Sequence, residues 1–153
     1  MRKILCLLIL VCVAGAVHAK DSEAQARTKL QGYVKSMKEL EAQARGIQPM
    51  NIPLAGRTRA QDKEMMRRIE FVDNLLHKNV KPLALEVNRY EAPARWASVK
   101  DAANKLHDWF GTKVQLQNAG VNNPGLEYLK KSEPIKLREF QEALKKAEAD
   151  LRT

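Results

Sequence analysis

Apolar residues that return every three or four positions behind helix-starting signals constrain this chain to helices more than any other feature does. Ser22 and Gln25 have the spacing of a capping box, in which each side chain accepts from the other's backbone N–H. Behind them Leu30, Val34, Met37, Leu40 and Ala44 fall on one helical face, so a first amphipathic helix is expected over 22–45, stopped by Gly46. Thr58 and Gln61 repeat the device and open a second helix over 59–81, bounded by Pro82. The residues between, 46–56, hold Pro49 and Pro53 with little periodicity and read as a connection ending at Gly56.

Leu83, Leu85, Val87 and Tyr90 alternate as a short strand would, but a continued, proline-kinked helix suits the rest of the pattern better. Pro93 fits the first turn of another helix, on which Trp96, Val99, Ala103, Leu106 and Phe110 share a face. Gly111 either caps that helix or weakens it. Lys113 to Asn118 reads as further helix closed by Gly120, and Asn122-Asn123-Pro124-Gly125 is a turn. A short helical turn over 126–131 then leads to Ser132, expected to cap a last helix with the stripe Leu137, Phe140, Leu144, Ala147 and Leu151. No two strand patterns are joined by a hairpin turn, and there are no repeats. The expected fold class is all-α, a single compact bundle of four or five amphipathic helices.

The N-terminus has the three parts of a secretory leader: the cations Arg2 and Lys3, an apolar run from Ile4 to Val13, and small residues up to Val17-His18-Ala19. Val17 and Ala19 fill the two positions that a signal peptidase needs small, which places a mature start at Lys20. Residues 1–19 are therefore expected to be a signal peptide and 20–153 one helical domain, secreted. The run is shorter than the roughly 20 apolar residues that cross a bilayer core, so no stable membrane insertion is expected. A lipid on Cys12 is the other reading, with Val11 a poor fit to the residue that precedes such a cysteine. Both cysteines, Cys6 and Cys12, lie in the leader. Disulfides, thiolate catalysis, zinc–cysteine sites and covalent haem are thereby excluded from the mature chain.

Lys and Arg number 27 against 18 Asp and Glu, a formal net charge of +9, which favours an anionic partner without naming it. The second helix gives that charge a shape. Counting about 100° per residue from Arg59 places Lys63, Arg67, Lys78 and Lys81 on one arc of about 100°. Met65, Ile69, Val72, Leu76 and Val80 fall opposite, as the expected core face. The result is a basic track about 33 Å long at about 1.5 Å per residue, interrupted by Glu70. The plain alternative is a solvated face whose cations keep the helix soluble.

Other chemistries find less in the residues. Trp96, Trp109 and Phe110 fall where a helix buries its apolar side, not interleaved with cations for base stacking, so no nucleic acid partner is expected. His77 and His107 each stand alone, without a second ligand at helical spacing. A haem held by Met37 and His107 across a bundle could be drawn, but nothing near either residue selects it, and no cofactor or metal is expected. Ser22, Ser36, Ser98 and Ser132 are the serines after the leader; none lies in a Gly-x-Ser-x-Gly turn, and there is no phosphate-cradling glycine loop. Convergence of two of the acids in space is generic, so catalysis is not expected.

Gly56-Arg57-Thr58 opening a helix, the Arg67-Arg68 pair within it and Phe71-Val72-Asp73 make the chain similar to the egg-lysins, sperm acrosomal proteins of abalones and related marine snails. Val87-Asn88-Arg89-Tyr90 with Trp96 following is a competing match to the same family motif, to which only one of the two segments can align, and the resemblance spans residues 56–100. Fewer aromatic residues and a smaller positive charge set this chain apart. The resemblance implies a protein of the acrosomal vesicle that acts at fertilization. Such a protein dissolves the egg vitelline envelope by non-enzymatic, stoichiometric binding to an anionic extracellular glycoprotein. It also implies an exposed apolar patch that forms a homodimer, and a track inherited by Arg57, Arg59, Lys63, Arg67 and Arg68, which Lys78 and Lys81 extend. A bacterial periplasmic helical adaptor or chaperone-like protein, binding a partner protein, suits the leader and the Ala/Gln/Lys-rich first helix as well.

Overall fold

The computed structural model describes residues 21–47, 56–119 and 124–153. The expected leader, most of the connection after Gly46, and Gly120 with Asn122 and Asn123 lie outside them. The described residues form α1 (Glu23–Arg45), α2 (Arg59–Leu75), a π-helical turn (Leu76–Val80), α3 (Lys81–Arg89), a 3-10 turn (Ala94–Trp96), α4 (Ala97–Asn118) and α5 (Leu126–Asp150). No strand occurs among them, and the architecture is the expected all-α bundle.

Both capping boxes form. Ser22 Oγ accepts from the Gln25 N–H at 3.3 Å while Gln25 Oε1 accepts from the Ser22 N–H at 2.9 Å. Thr58 and Gln61 repeat these bonds at 3.3 and 2.9 Å. Gly56, just before that start, has φ +73°, a left-handed conformation in which a side chain would be strained.

The second helix does not stop at Pro82. It passes through the π turn, where the Lys81 N–H bonds the Leu76 carbonyl five residues back, and continues as α3 to Arg89. Pro82 has no N–H, and its ring would collide with the Lys78 carbonyl in a regular α-helix. The wider turn directly before it relieves that contact, and no strand forms at Leu83 to Tyr90. Pro93 stands one residue ahead of the 3-10 turn, accepting from the Trp96 N–H at 2.9 Å, so it introduces α4 from outside its first turn. Gly111 is not a cap, because α4 runs through it unbroken to Asn118.

The last helix also starts earlier than expected. Leu126 begins α5 directly behind Gly125, so Ser132 is not a cap but an interior residue whose hydroxyl donates to the Leu129 carbonyl at 3.2 Å. Pro134 therefore sits inside the helix. It is tolerated because Pro134 and Lys130, whose carbonyl loses its α-helical donor, are both exposed and water can replace the bond.

α4 and α5 pack along each other more extensively than any other pair, with α1 and the α2–α3 rod against them. Trp96, Trp109, Phe110 and Phe140 are completely buried between these elements with Leu30 and Met37 of α1. Trp109 stacks on Phe140 with ring centroids 6.0 Å apart and meets the Phe110 ring edge-on at 5.6 Å. Its indole N–H donates to Glu133 Oε1 at 2.7 Å, which also pairs with Lys113 Nζ at 3.2 Å, so this partly buried carboxylate is doubly satisfied. Trp96 Nε1 donates to the Asp150 carbonyl at 3.1 Å, and the Arg95 and Arg27 guanidiniums lie over its ring. At the other side Tyr33 donates to Glu86 and Tyr90 to Asp21, both at 2.7 Å. Burial first, and then the acceptor carboxylate, raises both phenols, Tyr90 to about 12.

The α2 core face is shallower than its apolar spacing implies. Val72, Leu75 and Val80 are buried, but Met65, Ile69 and Leu76 are only half-buried, and Met66 and Phe71 are 60% and 50% exposed. The rod is anchored by its C-terminal half.

Candidate binding surface

The structure sorts the cations expected on the second helix into two groups. Arg57, just ahead of α2, is held down: its Nε donates to Asp62 Oδ1 at 2.6 Å and its Nη1 to Met65 Sδ at 3.6 Å. Arg67 places Nε and Nη2 on the two carboxylate oxygens of Glu64 at 2.9 and 3.1 Å, and Arg68 Nε donates to the same carboxylate at 2.7 Å. The hydrogen bond from Arg67, followed by that from Arg68, lowers the Glu64 carboxyl to about 2, and the same bond raises the Arg67 guanidinium. Glu64 thus neutralises part of the expected track from within.

Arg59, Lys63, Lys78 and Lys81 form the second group. All are exposed and none has an ion pair to a described residue. Glu70, also exposed and unpaired, remains as an acid among them. The wheel that drew all four onto one arc assumes a uniform α-helix. A π turn advances by fewer degrees per residue than an α turn, so the count that put Lys78 and Lys81 on that arc does not carry through Leu76–Val80 unchanged. Lys78 lies within the π turn itself, at a cleft of about 320 Å³ with Asn79, Ser36 and Glu39.

Unpaired cations are not confined to this rod. Lys131, Arg138 and Lys145, at heptad spacing on the exposed face of α5, also lack ion pairs among the described residues, and Tyr128 and Ile135 stand exposed beside them. The apolar periodicity of α5 marks the buried stripe and gives no sign of this face. Elsewhere cations meet acids across helices, as in Lys38 with Glu148, Arg95 with Glu23, and Lys105 with Glu139.

Beside the α2 cations, between the ends of α1 and α4, runs a groove of about 460 Å³ lined by Ile47, Arg67, Arg68, Phe71, Val72 and Gln117. Gln117 is 2% exposed, and its Oε1 is buried with no donor among the described residues. No motif in the sequence announces this groove. No family model, curated protein or solved structure matches the chain.

The remaining expectations find their places as follows. Met37 is completely buried in the core, whereas the His107 side chain is 45% exposed beside Asp108, and His77 is exposed in the π turn. Among the described residues no three His, Asp or Glu side chains converge as metal ligands, and no helix is long and apolar enough to cross a membrane.

Proposed function

We propose that the protein acts by occupancy, as a secreted binding protein whose α2–α3 rod engages an anionic partner through Arg59, Lys63, Lys78 and Lys81. The observation that carries this reading is that these four cations are exposed and unpaired on one rod, while Arg57, Arg67 and Arg68 between and beside them are fixed by Asp62 and Glu64. Fixed cations shape the rod, and the unpaired ones are left to meet a polyanion. The leader at 1–19 supports export, and the egg-lysin resemblance supports an envelope glycoprotein as the partner and a non-enzymatic, stoichiometric mode of action.

The test is a titration of the mature protein onto isolated vitelline envelopes. The amount dissolved should rise in proportion to protein added, stop when the protein is consumed, and fall as salt screens the exposed charges over about 8–10 Å. Released material carrying new chain ends or cleaved sugars, or dissolution far beyond one equivalent, would make this an enzyme instead.

A second reading is favoured by Met66 and Phe71, both at least half exposed on the first half of α2. Apolar side chains left open on a basic rod suit a partner protein, as in a periplasmic adaptor or chaperone-like role. Inertness toward envelopes, together with capture of a partner chain that is lost on Met66→Ser and Phe71→Ser, would select it.

A further inference from the structure

The groove beside α2 contains three features that together specify a ligand. Gln117 lines it, and its carboxamide oxygen is buried without a donor. Buried polar atoms in folded proteins nearly always have a partner, so this oxygen is a place for an incoming N–H or O–H. The terminal torsion of Gln is broad, so the carboxamide can adjust to a donor arriving from the groove that Gln117 lines. The second feature is the pair of guanidiniums. Glu64 takes Nε of Arg67 and Arg68 and Nη2 of Arg67, which leaves the other guanidinium N–H groups open to an oxyanion in the forked geometry that matches a carboxylate. The third is the apolar surface of Phe71, 50% exposed, with Val72 and Ile47.

We propose that this groove binds an N-acylated apolar amino acid as its carboxylate, the chemistry shared by the C-terminal residue of a peptide and by a free acylated amino acid. The carboxylate meets Arg67 and Arg68, the adjacent N–H donates to Gln117 Oε1, and the side chain covers Phe71 and Val72. A plain fatty acid would leave the amide oxygen unsatisfied, and an uncharged amide would leave the guanidiniums unused. Arg59, Lys63, Lys78 and Lys81 take no part, so this site stands apart from the polyanion reading.

The test compares three probes by calorimetry on the whole protein: N-acetyl-L-leucine, its primary amide, and 4-methylpentanoate, which lacks the N–H. N-acetyl-L-leucine should bind at least about tenfold more tightly than either, the ratio expected when one charge-assisted or buried hydrogen bond is lost. Gln117→Met should bring its affinity down to that of 4-methylpentanoate and leave 4-methylpentanoate unchanged. In the unsubstituted protein the Gln117 side-chain amide resonances should shift as N-acetyl-L-leucine is added, a readout that does not depend on how the variant folds. Joint replacement of Arg59, Lys63, Lys78 and Lys81 by Gln should leave the affinity as it was. A peptide ending in Gly-Gly-Leu that binds more tightly than N-acetyl-L-leucine assigns the site to protein C-termini, and equal affinity assigns it to the free acid. Equal binding of the three probes, no binding at millimolar concentration, unmoved Gln117 resonances, or loss of binding in the four-cation variant would overturn the proposal.

Discussion

Glu64 shows how one acid changes the meaning of a basic helix. It sits three and four residues before Arg67 and Arg68, the spacing at which helical side chains meet, and it holds both guanidiniums. Its carboxyl, lowered to about 2, favours the folded state at pH values above the ordinary carboxylate range, and that contribution is lost as pH falls toward 2. A side-chain carbon NMR titration should therefore give Glu64 a midpoint near 2, and a midpoint in the ordinary range would mean that the clamp is open in solution. Glu64→Gln should leave the melting temperature nearly unchanged, because the pair is exposed, yet raise the salt needed to elute the protein from immobilised heparin. The clamp was legible in the spacing, but a wheel that counts only cations passes over it. The Arg57 bond to Asp62 was not legible, because Arg57 precedes the cap and lies off the helical periodicity. Gln117 was not legible either: its burial depends on where the ends of α1 and α4 meet, and no spacing in one helix encodes that.

At the scale of elements, the capping boxes and apolar stripes encode most of the fold, and the prolines do not mark its helix boundaries. Pro82, expected to bound the second helix, and Pro134, two residues after the expected cap Ser132, both lie within helical rods. The physical reason differs. Pro82 is relieved by the π turn before it, which local sequence does not specify, while Pro134 is tolerated because it and Lys130 face solvent, where water replaces the lost bond. This yields a test of the α5 boundary. Pro134→Ala restores a backbone donor in a helix interior and should stabilise the protein by about 2 kcal/mol, read as a raised denaturation midpoint. If the helix began near Ser132, Pro134 would lie in a first turn and the substitution would change little. The π turn also interrupts the uniform count of about 100° per residue on which the basic track was drawn.

At the scale of the whole molecule, an all-α bundle without cysteine among its described residues depends on one aromatic core. Trp109 joins α4 to α5 through its stack on Phe140 and its bond to Glu133, so Trp109→Ala should cost about 3–5 kcal/mol and leave Lys113 and Glu133 without their cover. Circular dichroism during urea unfolding checks this, and a loss under about 1 kcal/mol would contradict the core as described. The surface raises the remaining question, because net charge alone attracts polyanions and two helical faces carry unpaired cations. The central claim is that the α2–α3 rod is the binding face. It is tested most directly by two variants of identical charge: Arg59, Lys63, Lys78 and Lys81 replaced together by Gln, and Lys131, Arg138 and Lys145 on α5 replaced likewise with their exposed neighbour Lys146, which also lacks an ion pair among the described residues. Salt-elution from immobilised heparin is measured for both beside the unsubstituted protein. The account predicts a large drop in elution salt for the α2–α3 variant and only a small one for the α5 variant. Equal drops in both, or the larger drop for α5, would contradict it.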